Sequence, residues 1–84
     1  MENFLINYTK DITIVKVDLP AATMRDASAL WESLASDSLF EREKLIIDLS
    51  ACSFIDSTFI GMIVKVFKRV NEKHGAMKLV FPQI

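Results

Sequence analysis

Residues 44–61 read Lys-Leu-Ile-Ile-Asp-Leu-Ser-Ala-Cys-Ser-Phe-Ile-Asp-Ser-Thr-Phe-Ile-Gly. Residues 44–50 form a short apolar run. As a strand, its adjacent Leu45, Ile46 and Ile47 point to both faces of a sheet. Such strands are typically central and covered by helices, as in α/β architectures. Residues 51–55 connect, with Phe54 and Ile55 expected inward. Asp56 stands where an N-cap would, able to accept from a free first-turn N–H. From Ser57 the apolar period changes to that of a helix. Phe59, Ile60, Met62, Ile63, Val64, Val66, Phe67 and Val70 fill an arc of roughly 200°, opposite Lys65, Lys68, Arg69 and Glu72. The pattern predicts a helix over 57–74. Gly75 would follow it as a left-handed terminator, and Lys73 and His74 suit the negative end of the helix dipole. Residues 76–81 read as a strand.

Working outward, Phe4, Ile6 and Tyr8 alternate along a first strand over 3–9, and residues 12–18 are rich in β-branched side chains. Lys10-Asp11 between them predicts a tight antiparallel hairpin. After Pro20, Met24, Ala27, Leu30, Trp31 and Leu34 make one helical face that Thr23 can cap by accepting from a first-turn N–H. Residues 35–43 read as a polar loop, with Phe40 tucked beneath. The order β-β-α-β-α-β predicts a small mixed sheet with helices packed on one face and parallel pairing across each helical crossover. With 84 residues and no linker-like composition, one α/β domain over 1–84 is expected.

Composition narrows the function classes. The net charge of −1 argues against nucleic acid as the main partner. The late Lys65, Lys68, Arg69 and Lys73 read as a solvated helix face. One cysteine, Cys52, rules out an intrachain disulfide, and with one histidine it leaves no metal-ligand cluster. The N-terminus lacks the features of a signal peptide, and no apolar run is long enough to insert in a membrane. A reducing cytoplasm is the expected compartment. No cofactor is expected, since no glycine-rich phosphate loop is present. Among candidate catalytic residues, Ser57 and His74 fall at opposite ends of one predicted helix, ~25 Å apart at 1.5 Å per residue, so they cannot form a nucleophile–base pair. The reading is non-enzymatic.

The remaining chemistry lies in Asp56-Ser57-Thr58. The first N–H groups of a helix lack intrahelical partners, and the dipole adds roughly half a positive charge there. A phosphate on Ser57, carrying about −1.5 to −2 charges, could be accommodated without unfolding the helix. It would sharply change the local surface charge beside Asp56. Residue types alone favour the simpler reading, that these hydroxyls help to cap a helix.

Residues 44–61 resemble the central motif of STAS domains, the family named for sulfate transporters and anti-sigma-factor antagonists. In that motif a hydrophobic strand ending in Asp-Leu-Ser leads through a short loop with an aromatic to Asp-Ser-Ser/Thr and a glycine-containing helix. The flanking hairpin, first helix, Lys-rich second helix and last strand also fit, so the resemblance covers essentially the whole chain. It implies a phosphoacceptor at Ser57, with Thr58 as second choice and Asp56 as its support. It implies a partner-binding surface of Asp56, Ser57, Thr58, Phe59, Gly61 and Met62. The implied partner is an anti-sigma factor that is also the serine kinase, reset by a separate phosphatase. The protein would be an anti-sigma-factor antagonist regulating sigma-factor-dependent transcription. The alternative is a STAS scaffold in a stressosome-like assembly or a transport system. Two positions depart from the motif: Phe59 stands where many members have glycine, predicting an altered contact surface, and Ala22 stands where many have an acid. Members usually continue past the last strand with a helix, a strand and a helix. A chain ending at Ile84 would leave part of the core uncovered and invite a homodimer.

Overall fold

The structure is a computed structural model and describes residues 3–36, 38–39 and 43–82. Strand β1 (Phe4–Tyr8) and β2 (Ile12–Val17) form an antiparallel hairpin. Its turn is closed by the Thr9 N–H and hydroxyl, both donating to the Ile12 carbonyl, which leaves Lys10 and Asp11 at the tip. β3 (Ala21–Ala22) and α1 (Met24–Ser36) follow, then β4 (Lys44–Asp48), β5 (Phe54–Ile55), α2 (Ser57–Glu72) and β6 (Ala76–Val80). The main sheet has the order β1-β2-β4-β6, with β2–β4 and β4–β6 parallel. The expected mixed sheet is therefore present. The two-residue strands β3 and β5 are additional: they pair in parallel as a second, very small sheet.

Alternation explains the layering. Thr13, Val15 and Val17 of β2 and Leu45 and Ile47 of β4 are buried on one face. Phe4, Ile6, Met77 and Leu79 extend that face from the flanking strands. Ala27, Leu30 and Leu34 of α1 and Phe59, Met62, Ile63, Val66 and Val70 of α2 cover it. The other face carries Ile14, Lys16, Ile46, Asp48 and Lys78, half-buried or exposed. Both helices thus lie on one face, and β4 is fully covered only there.

Several local expectations change. Tyr8 shares the face of Phe4 and Ile6, opposite buried Thr13, but at the end of the strand it is 53% exposed. Phe40 lies outside the described residues, and nearby it is Leu39 that is fully buried. α1 continues to Ser36, past the expected loop start at residue 35. The apolar arc of α2 is wider than the surface it buries, so Ile60, Val64 and Phe67 remain about half exposed. Phe54, expected inward, is 57% exposed, because β5 pairs with β3 beyond the main sheet; Ile55 is half-buried.

α2 also ends differently. His74, not Gly75, is the left-handed residue, with φ 64°. The Gly75 N–H donates to the Val70 carbonyl and the His74 N–H to that of Asn71, which together satisfy the last turn. A side chain at positive φ costs about 1–2 kcal/mol that glycine avoids. His74→Gly should therefore stabilise the domain by about 1 kcal/mol, raising Tm by roughly 4–8 °C in thermal unfolding followed by circular dichroism. An unchanged or lowered Tm would show that the left-handed residue carries no such strain.

Candidate functional site

The starts of α1 and α2 meet at one end of the molecule. The segments that lead into them run side by side. β3 pairs with β5, the Ser53 and Phe54 N–H groups both donate to the Pro20 carbonyl, and the Asp56 N–H donates to that of Ala22 at 3.0 Å. The Ser53 hydroxyl adds a bond to the Pro20 carbonyl at 3.0 Å. Ala22, where an acid was the familiar alternative, is fully buried in this seam.

Asp56 sits above the seam, half-buried, and uses both carboxylate oxygens. Oδ1 accepts from the Phe59 N–H at 2.8 Å, making Asp56 the N-cap of α2 as expected. Oδ2 accepts from the Met24 N–H at 2.9 Å, the first helical residue of α1. One carboxylate therefore neutralises exposed donors of two helices and faces the positive end of each dipole. Sequence spacing alone could not show the second bond, because it joins residues 32 apart. Thr23 behaves differently from its expected accepting role. Its N–H and hydroxyl both donate to Asp26 Oδ2, at 2.9 and 3.2 Å, so the carboxylate three residues on reaches back to the cap position.

Ser57 and Thr58 are exposed in the first turn of α2. Gly61, one turn on, is exposed too, and a Cβ built there would meet nothing within 4 Å. Phe59 does not share that surface, and Met62 reaches it only as a wall of the groove between the helices. Phe59 is fully buried at the centre of the helix's inner face, and Met62 is 7% exposed. Phe59 thus leaves the expected contact set, and its bulk is spent in the core instead of on the contact surface. Two apolar residues expected inside are exposed at the same end of the molecule: Met24, 67% exposed, and Phe54. Their signal was hidden, since both fit an apolar pattern. Between the helices a groove of about 690 Å³ runs back from Thr58, past Met24, Ala27, Gly61 and Met62 to Trp31, Glu32 and Lys65.

The loop from β4 is fixed at the same end. The Ser50 side chain and backbone N–H hold the Asp48 carboxyl below its ordinary pKa, with the N–H at 2.9 Å from Oδ1. Burial pushes the Cys52 thiol up, which keeps it a protonated core side chain. Among the described residues no three His, Cys, Asp or Glu side chains are grouped to hold a metal ion. No helix among them is long and apolar enough to cross a membrane.

Removing the Asp56 carboxylate orphans donors at two helix starts. Asp56→Ala should cost about 2–3 kcal/mol, more than the ~1 kcal/mol of an ordinary N-cap. Urea unfolding measures it. A loss confined to ~1 kcal/mol or less would mean that the bond to Met24 contributes nothing.

The STAS domain family model matches residues 4–84. No curated protein sequence matches the chain. Among solved structures, Mglu superposes with TM-score 0.81 at 14% identity over 94% of this chain and 19% of its own. The unphosphorylated anti-sigma-factor antagonist SpoIIAA gives 0.78 at 13% identity, over 96% of this chain and 74% of its own. The murine anion transporter Slc26a9 gives 0.70 at 18% identity, over 87% of this chain and 12% of its own. The chain thus spans about a fifth of Mglu and three quarters of SpoIIAA, and at these identities the likenesses establish the fold. With the family model covering nearly every residue, the chain belongs to the STAS domain family.

Proposed function

We propose that this domain is an anti-sigma-factor antagonist whose binding to an anti-sigma kinase is switched by phosphorylation of Ser57. The observation that carries the reading is an exposed hydroxyl in the first turn of a helix, at the end of the molecule where Met24 and Phe54 are also exposed and where its neighbour Thr58 opens the inter-helix groove. An apolar rim suits protein docking. A doubly charged group on Ser57, next to Thr58 at the mouth of the groove, alters that surface with no need to rearrange the core.

The electrostatics work in both directions. The free N–H groups of the first turn and the helix dipole favour a phosphate on Ser57. Asp56 opposes it, yet both Asp56 oxygens are already committed to Phe59 and Met24. The fold then keeps its cap while the docking surface gains about two negative charges, which repel an acidic partner and lose their hydration against an apolar one. Unphosphorylated, the domain captures the kinase; phosphorylated, it lets go, and a phosphatase resets it. The domain acts here as substrate and binder rather than catalyst, within a bacterial cytoplasm. SpoIIAA, which shares the fold, is an anti-sigma-factor antagonist also solved in a phosphorylated form. A second reading, a STAS scaffold within a transport system or a stressosome-like assembly, draws on the likeness to part of the Slc26a9 transporter.

Two measurements follow. In protein recovered from its native cells, peptide mass spectrometry should find phosphate on Ser57 that changes with stress. Phosphate on Thr58 instead would move the switch by one residue, and none under any condition, in a stable larger complex, would favour the scaffold. Gly61 gives an independent check. A glycine inside a helix costs about 0.5–1 kcal/mol relative to alanine, and among the described residues nothing crowds a Cβ at this position. Gly61→Ala should raise stability by that amount while weakening capture of the kinase. If binding is unaffected, the α2 side of the groove is not part of the docking surface.

A further inference from the structure

We propose that the outer face of α2 and the open edge of β6 form the contact between two copies of this chain, paired about a two-fold axis. Two unmet demands coincide on this side of the molecule. Among the described residues β6 ends the sheet order β1-β2-β4-β6, so one side of Ala76–Val80 offers backbone donors and acceptors to a further strand. α2 packs on β6 along one flank and on α1 along the other. Thr58, Gly61, Met62 and Lys65 turn toward α1, where they line the inter-helix groove. Helical rotation puts Ile60, Val64 and Phe67 on the opposite flank, above the β6 edge. They are 52%, 47% and 51% exposed. Asn71 continues this row, so no charge interrupts it. Phe81 follows β6 and is 60% exposed; strand alternation puts it on the side of Met77 and Leu79, facing α2.

A second copy of the chain meets both demands together. Its β6 can pair antiparallel with this one, and its α2 row then meets the same row across the axis. Such a contact is self-complementary and uses up both β6 edges, leaving none for a third copy to pair with β6. The one charge on the edge strand, Lys78, lies on the other face of the sheet and stays in solvent. The four exposed apolar side chains supply roughly 400 Å² on each copy, and two facing edges bring the pair to about 1,000 Å², the size of a weak, reversible interface. This contact does not depend on the Ser57 switch, and its test needs no kinase.

Sedimentation equilibrium on the purified chain, from ~1 μM to ~1 mM, spans the dissociation constants expected of an interface this small. The mass should rise with concentration from 9.5 kDa toward twice that value. Phe67→Glu and, separately, Ile60→Glu should each raise the dissociation constant at least about tenfold, with circular dichroism unchanged because both side chains are already exposed. A mass that stays at 9.5 kDa throughout overturns the proposal and assigns the face to another protein or to chain beyond Ile84. A dimer that neither substitution weakens overturns it as well.

Discussion

The structure depends on one carboxylate serving two helices. Asp56 accepts from the starts of both α1 and α2, and the β3–β5 seam beneath it fixes the approach of each helix. Without that seam the carboxylate would cap α2 alone, as any Asp at an N-cap does. With it, the end of the molecule that carries Ser57 becomes a rigid corner. Burial of Phe59 immediately after the two hydroxyls anchors the first turn from below. The hydroxyls are consequently held outward on a backbone that is braced from two sides.

That brace bears directly on the proposed switch. A modification that had to break a cap would compete with folding in a domain of this size, whose stability is only a few kcal/mol. Here the cap's bonds run between Asp56 and the backbone of residues 24 and 59, and Ser57 contributes none of them. Charge can change at Ser57 while both helix starts keep their partners. Two groups of exposed apolar residues lie apart. Met24 and Phe54 lie at the end that carries the hydroxyls, whereas Ile60, Val64 and Phe67 lie on the flank of α2 away from α1. Two contacts at once are therefore sterically compatible.

Much of the architecture was legible in the sequence. Alternation in β2, the apolar run of β4 and the helical period of α2 identified the sheet and its covering face, and Asp56 read correctly as an N-cap. The failures share a cause. Periodicity says which residues are apolar and aligned, but not how much of an apolar arc the rest of the chain can cover. Ile60 was assigned to the core for that reason, and Phe59 was left for the surface although it lies at the arc's centre. Phe54 turned outward because two-residue strands carry no periodic signal. The second role of Asp56 was invisible, since a bond across 32 residues leaves no local pattern. His74 took the left-handed position ahead of the adjacent Gly75, a shift of one residue that composition cannot resolve.

The central claim is that Asp56 ties the two helix starts together, and amide hydrogen exchange followed by NMR reads that directly. The N–H groups of Met24 and Phe59 share one acceptor residue. The account predicts that both are protected, with similar opening free energies, well above that of Thr58 in the first turn of α2. Protection at Phe59 with free exchange at Met24 would reduce Asp56 to a cap on one helix and contradict the account.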